Sequence, residues 1–175
     1  ELNGYKARIV NLAVKMLRNP KFDAEKFIKK LDAKVFGFDL HWLPHAAGSL
    51  DMAEIVKKHH PDAPILLGGL SASYFHEEII EHFPQIDYIL RGDTTEKPLL
   101  DLMNHISAGK EPETVENLTW RTRDGRKRIN PMTFVPTEMD DLWIDYGEVM
   151  KLVLRHMDLE STLPYQSFME YPDRK

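Results

Sequence analysis

The sequence predicts an α/β fold built on a doubly wound parallel sheet, and three observations carry that expectation. Short β-branched or apolar runs alternate with helical segments of about a dozen residues from Tyr5 to Ile106. The runs are apolar without strict alternation, as strands covered on both faces require. Each run ends in turn or capping residues, among them Gly68-Gly69 and Arg91-Gly92.

Taken in order, Ala7 to Leu12 reads as the first strand, and Asp23 caps a helix through Leu31. Val35 to Leu40 is the second strand, followed by a loop from Trp42 to Ser49. Ser49 is expected to cap the next helix, with Leu50, Ala53 and Val56 inward and His59, His60 and Pro61 at its end. Ile65 to Leu67 runs directly into the glycine pair. A helix from about Tyr74 to Phe83 is stopped by Pro84. Tyr88 to Leu90 is the fourth strand; Thr95 caps a helix that tolerates Pro98 in its first turn and turns Leu99, Leu102, Met103 and Ile106 inward. Beyond a polar connector, Asn117 to Asn130 reads as a hairpin on an Asp124-Gly125 two-residue turn. Residues 131–144 read as irregular, Asp145 as the cap of a last helix through Met157, and the remainder as a loosely structured tail. The organisation expected is an α/β domain over 1–107, a connector with the hairpin over 108–145, and a helix with tail over 146–175.

Composition narrows the function. The chain has 175 residues, no cysteine and a net charge of −5. Absence of cysteine excludes a disulfide scaffold, a cysteine zinc site, an iron–sulfur cluster and a thiol nucleophile within this sequence. Without a basic block, phosphate-backbone binding has no electrostatic footprint, so no nucleic acid is expected. No run approaches the roughly 20 apolar residues that cross a bilayer. With no signal peptide and no initiator methionine, the chain reads as a piece of a longer, soluble, cytoplasmic protein.

Ligands of doubly wound sheets sit beyond the carboxyl ends of the strands, which singles out residues 39–49, 68–74 and 91–96. Gly68 and Gly69 leave the backbone bare for a flat or bulky ligand, or else make a tight strand-to-helix turn. Ser71 and Ser73 follow with hydroxyls. Asp39, His41 and His45 form D-x-H-x-x-x-H, which invites a metal-dependent enzyme as a competing reading. Arg91, Asp93 and Glu96 read either as a salt-bridged loop or as polar ligand contacts. No P-loop, G-x-S-x-G, H-E-x-x-H or G-x-G-x-x-G is present.

The order VFGFDLHW, amphipathic helix, PDAPILLGGLSASYF and FPQIDYILRGDTTEKPLLDL resembles the cobalamin-binding domain of cobalamin-dependent radical SAM proteins. Asp87 to Leu99 follows that family's vDyvirGegE.PL segment, and NLTWRTRDGRKRINP follows its nl.yr.dg.i..np ribbon. The resemblance spans about residues 4–145. It implies a flavodoxin-like (Rossmann-like) domain that lays a corrin ring across the strand ends and threads the dimethylbenzimidazole tail into the sheet. It places Gly68, Gly69 and Ser71 beside the tail and Asp39, Leu40 and His41 toward the corrin. Arg91 and Gly92 complete the expected cofactor-contacting set. A radical SAM barrel of the same parent would carry a 4Fe-4S cluster and S-adenosylmethionine, and the piece itself would not be catalytic. A cofactor-free, receiver-like interaction domain is the alternative.

Three departures from the family pattern stand out. The C-x-x-x-C-x-x-C of the barrel is absent. Asp39 to Pro44 mimics D-x-H-x-x-G with Pro44 in place of glycine, on a later strand than the family's, and is taken as coincidence; no metal ligand is expected. The family's first strand, expected between 7–12 and 35–40 in the sheet, is missing. Met150 to Arg155, or a strand swapped from a second copy in a homodimer, is a candidate replacement.

Overall fold

The computed structural model describes residues 3–137, 145–159 and 161. The chain forms two compact units, Ile28–Met139 and Glu1–Phe27 with Asp140–Lys175. Residues 138–144 of the irregular segment, and the tail expected after Ser161, lie outside the described residues.

The larger unit is an α/β sheet of five strands in the order β1-β2-β3-β4-β5: Phe36–Asp39, Ile65–Gly68, Tyr88–Leu90, Leu118–Arg121 and Lys127–Ile129. β1, β2 and β3 are parallel, in the register Phe36↔Ile65 and Leu66↔Tyr88. The hairpin adds β4 antiparallel to β3 (Leu90↔Leu118), with β5 outside it, so the sheet is mixed. The hairpin loop differs from the expected two-residue turn. Thr122 and Arg126 close it through Thr122 N–H to Arg126 O (2.9 Å), leaving three residues with Gly125 at φ +84°. A glycine in the left-handed region is what such a three-residue loop needs.

Helices lie on both faces. Paired residues in neighbouring strands share a face, so Phe36, Ile65, Leu67, Ile89 and Thr119 lie on one side of the sheet. That side receives α3 (Ala46–His59), through the Phe36–His60 ring contact at 5.0 Å. It also receives α5 (His76–His82), through His76 Nδ1 and Thr119 Oγ1 at 2.9 Å. The other side carries Leu66, Tyr88, Leu90, Leu118 and Trp120. There α6 (Glu96–Ser107) drives Leu102 into a core with Leu90, Val115, Leu118 and Trp120. Asp87 ties β2 to β3: its Oδ2 accepts from Ile65 N (2.7 Å) and from Lys57 Nζ (2.8 Å).

Several local expectations change. Residues 7–11 form no strand. Instead Asn11 Oδ1 accepts from Val14 N (3.1 Å) and starts α1, Leu12–Arg18. Asp23 caps as expected (Lys26 N to Oδ1, 2.8 Å), though α2 is only Ala24–Ile28. Ser49 caps nothing. A 3-10 turn over Leu43–His45 leads straight into α3, and Ser49 Oγ donates to Asp39 O. The helix expected from Tyr74 is two, α4 (Leu70–Tyr74) and α5, joined at Phe75. Thr95 precedes α6 without a side-chain capping bond, and Leu99 stays exposed. Met150 to Arg155 belongs to α7, Tyr146–His156, and replaces no strand. Asp145 caps it by accepting from Gly147 N and Glu148 N. In that smaller unit Asp158 is held by Lys15 Nζ (2.9 Å) and Ser161. Among the described residues no helix is long and apolar enough to cross a membrane.

Two buried asparagines anchor the hairpin and the strap after it. Asn130 accepts from Trp120 Nε1 (3.0 Å) and donates to the Pro112 and Val115 carbonyls. Asn117, at φ +57°, donates to Phe134 O and accepts from Phe134 N, clasping residues 131–135. Replacing Asn130 by Ala strands three buried polar groups, so Asn130→Ala should cost about 3 kcal/mol or more, read as a lower denaturant midpoint. His76 gives a pH signature. Burial first, and the nearby Arg91 charge second, lower its pKa below 6.5. Its protonation therefore opposes the fold: stability should hold above about pH 6.5 and decline as pH falls below it. His76→Gln should flatten that slope in thermal melts.

Candidate functional site

The residues that the sequence singled out gather at the strand ends, where the two glycines do different work. Gly69 sits at φ +101°, and a Cβ on it would lie 2.7 Å from His41 N and 2.8 Å from both Leu40 C and Asp39 Oδ1. The backbone leaving β1 thus passes directly over Gly69, which only glycine permits. Ser71 N (3.2 Å) and Ser71 Oγ (3.0 Å) donate to His41 O, and Ala72 N donates to Leu40 O (3.1 Å), pinning the crossing. The bare shelf expected at Gly68-Gly69 is therefore corrected at Gly69, where the protein's own main chain occupies the space.

Gly68 is open. A Cβ there meets nothing within 4 Å, and the same holds for Gly37. Register pairs Asp39 with Gly68 and Gly37 with Leu66, so Gly37, Asp39, Leu66 and Gly68 share the α6 face of the sheet. On that face α6 covers β3 and β4, with Leu66 at the margin of the core. Gly37 and Gly68 line a strip of bare backbone, the trough, on that face. Sequence reasoning missed Gly37. Its signal was a glycine inside a strand, which marks a place for close approach.

The other expected contacts are committed to the protein. Ser71 holds His41, as above. Ser73 Oγ donates to Gly69 O (2.8 Å) and accepts from Gly92 N (2.9 Å), joining the second and third strand ends. Arg91 is 7% exposed and donates from Nη2 to Asn130 O; its Nε has no partner, and burial lowers its pKa. It makes neither the expected loop salt bridge nor an approach to the trough, since it lies on the α5 face with Ile89. Asp39, His41 and His45 do not converge: among the described residues no three metal-ligating side chains come together. His41 instead packs against Trp42, ring centroids 5.0 Å apart at 76°.

The contrast between the glycines gives a direct check. Gly69→Ala should destabilise the chain by about 2–4 kcal/mol, from strain and backbone overlap. Gly68→Ala should stay within about 1 kcal/mol of the parent in the same chemical denaturation.

Open space above two strand glycines, beside Leu66 and near loops at the carboxyl ends of parallel strands, leaves room for a ligand on this face. Comparison with known proteins gives the family. The B12 binding domain family model matches residues 1–99, more than half of the chain. The cytidylyl-2-hydroxyethylphosphonate methyltransferase of Streptomyces wedmorensis is 26% identical over 109 residues, covering 62% of this chain and 20% of its own. The anaerobic magnesium-protoporphyrin IX monomethyl ester cyclase of Rubrivivax gelatinosus is 25% identical over 97 residues, 54% of this chain and 17% of its own. This chain thus spans about a fifth of the length of those relatives. Among solved structures, the radical S-adenosylmethionine methyltransferase TsrM from Kitasatospora setae, with cobalamin and a 4Fe-4S cluster bound, superposes with a TM-score of 0.61 at 19% identity. That match covers 77% of this chain and 25% of TsrM. The cobalamin-dependent S-adenosylmethionine radical enzyme OxsB, with aqua-cobalamin bound, gives 0.52 at 18% identity, covering 73% and 18%. These two likenesses establish a shared fold. With a family match over residues 1–99 and the fold those structures share, the chain belongs to the B12 binding domain family.

Proposed function

We propose that this chain is the cobalamin-carrying module of a radical SAM enzyme, with the nucleotide tail seated over Gly37 and Gly68 and the macrocycle beyond the strand ends. The observation that carries this reading is the Gly37–Gly68 trough, open above both glycines. When bound, cobalamin supplies a cobalt centre that carries a methyl group or offers an open coordination position. The chain's part is to seat and orient. Leu66 gives the trough an apolar floor, the α6 core bounds it, and Asp39 stands at its mouth beside Gly68. The crossing at Gly69, locked by Ser71 and Ala72, holds the 39–42 loop in place before any ligand arrives, so little ordering is required on binding. Leu40 and His41 contribute through that backbone corner, and Gly92 through its bond to Ser73. Arg91 supports the third strand end from the opposite face.

In the parent protein, the module is proposed to present the cofactor to a radical SAM domain holding a 4Fe-4S cluster and S-adenosylmethionine. The substrate class of that domain is methyl acceptance or related radical chemistry. Support comes from the relatives, two of which are named as methyltransferases.

Titration of the 175-residue chain with hydroxocobalamin should change the visible spectrum of the corrinoid and saturate at one equivalent. Gly68→Val and Gly37→Val fill the trough without a clash in the protein, and each should weaken binding about tenfold or more, the equivalent of about 1.4 kcal/mol. Unchanged affinity in both, with melting temperatures intact, would remove the trough from the site.

A further inference from the structure

α7 carries apolar residues on two opposite faces. Val153 is buried within its unit, with Val149, Leu152 and His156 half-buried beside it. The other face stands in solvent: Tyr146 (72% exposed), Met150 (46%), Leu154 (67%) and Met157 (86%), with Gly147 exposed among them. A helix serving only its own unit needs one apolar stripe, and a second, exposed stripe marks a contact with another molecule. Gly147, Met150, Leu154 and Met157 are spaced three, four and three apart, the seam of helices that pack in pairs.

Met157 adds a backbone argument. It ends α7 in the left-handed region at φ +49°, where glycine is the usual residue. A side chain there carries a steric cost, and the exposed methionine gains no burial in return within its own unit.

The stripe complements itself when a second α7 runs antiparallel to it about a twofold axis near residue 152. Met150 then meets the partner's Leu154, and Met157 lies over the partner's Gly147, where no side chain stands in its way. Charge agrees with that direction. Glu148 stands in the first turn of α7 and Arg155 in the last, so antiparallel packing sets Glu148 opposite the partner's Arg155. The two Lys151 side chains approach near the axis, each beside its own Glu148 at 2.5 Å. A parallel pair would instead set Glu148 against Glu148 and Arg155 against Arg155. Antiparallel packing also places opposite ends of the two helix dipoles together. A helix of 11 residues is about 16 Å long, so one helix pair falls near or below the lower limit of specific interfaces and associates weakly.

We propose that the Tyr146–Met157 face of α7 is a self-association surface through which two copies of this chain pair antiparallel, with no exchange of strands. The pairing stands apart from the cobalamin-carrying reading and uses no part of the Gly37–Gly68 trough.

Sedimentation velocity of the 175-residue chain between about 1 and 200 µM should show monomer passing to dimer, half converted at roughly tens of micromolar. Leu154→Glu should raise that midpoint about tenfold or more and leave the melt of the dilute chain unmoved, because the side chain is exposed. Met157→Gly should move two readouts in opposite directions. The dilute chain melts higher, since glycine relieves the left-handed turn, while the dimer weakens about threefold or more. A merely structural role for Met157 would lower the melt and leave the dimer unchanged. Direction is read by cross-linking, since the chain has no cysteine of its own. Under oxidation, a mixture of Met150→Cys and Leu154→Cys chains should give more disulfide dimer than either variant alone. A chain that stays monomeric throughout the range overturns the proposal and leaves the face to a different protein. A dimer that Leu154→Glu leaves intact overturns it as well, as does cross-linking that is most efficient within one variant alone.

Discussion

The structure at the strand ends depends on one close approach, the passage of the Leu40–His41 backbone over Gly69. With φ at +101° and main-chain atoms inside 3 Å of where a Cβ would sit, the position excludes every side chain. Once the chains cross there, the amides of Ser71 and Ala72 find the carbonyls of His41 and Leu40, and the start of α4 is fixed relative to β1. Ser73 then passes the constraint on, bonding Gly69 on one side and Gly92 on the other. Three strand ends are thus held by a chain of neutral hydrogen bonds, and no ion pair is needed among them.

A second constraint holds the far half of the sheet. The hairpin is exposed along β5, yet it is anchored at its base by Asn130 and Asn117, both buried and both fully engaged. Arg91 joins this group through the Asn130 carbonyl. A buried guanidinium without a carboxylate partner is expensive, and its cost is shared with the strand end it braces. The polar interior of the unit is concentrated here, away from the open trough. The two halves therefore differ in character: rigid polar anchoring under β3–β5, and bare backbone with exposed apolar groups at β1–β2.

That division follows from which face each helix covers. α3 and α5 cover one face, as right-handed crossovers between sequential parallel strands place them. α6 packs on the other, against Leu90, Leu118 and Trp120 of β3 and β4, with Leu66 of β2 at the edge of that core. Gly37 and Gly68 lie on that second face, and the bareness there comes from the absence of a side chain at either residue.

Much of this was legible in the residues themselves. The alternation of apolar runs with amphipathic segments gave β1, β2, β3 and α3, α6 and α7, because hydrophobic period and caps are local properties. Asp23 and Asp145 announced their helices through side chains that reach only a few residues ahead. The motif order around Gly68-Gly69 and Arg91-Gly92 pointed to the family. Pairing was not local. Residues 7–11 had strand composition yet form no strand, and the hairpin became part of the main sheet because Leu118 meets Leu90 across a wide sequence gap. Nor did the sequence determine which glycine is open: Gly68 and Gly69 are chemically identical, and only register and the sign of φ separate them. Side-chain type states what a residue can do, whereas the face it occupies, set by long-range pairing, decides whether it does it.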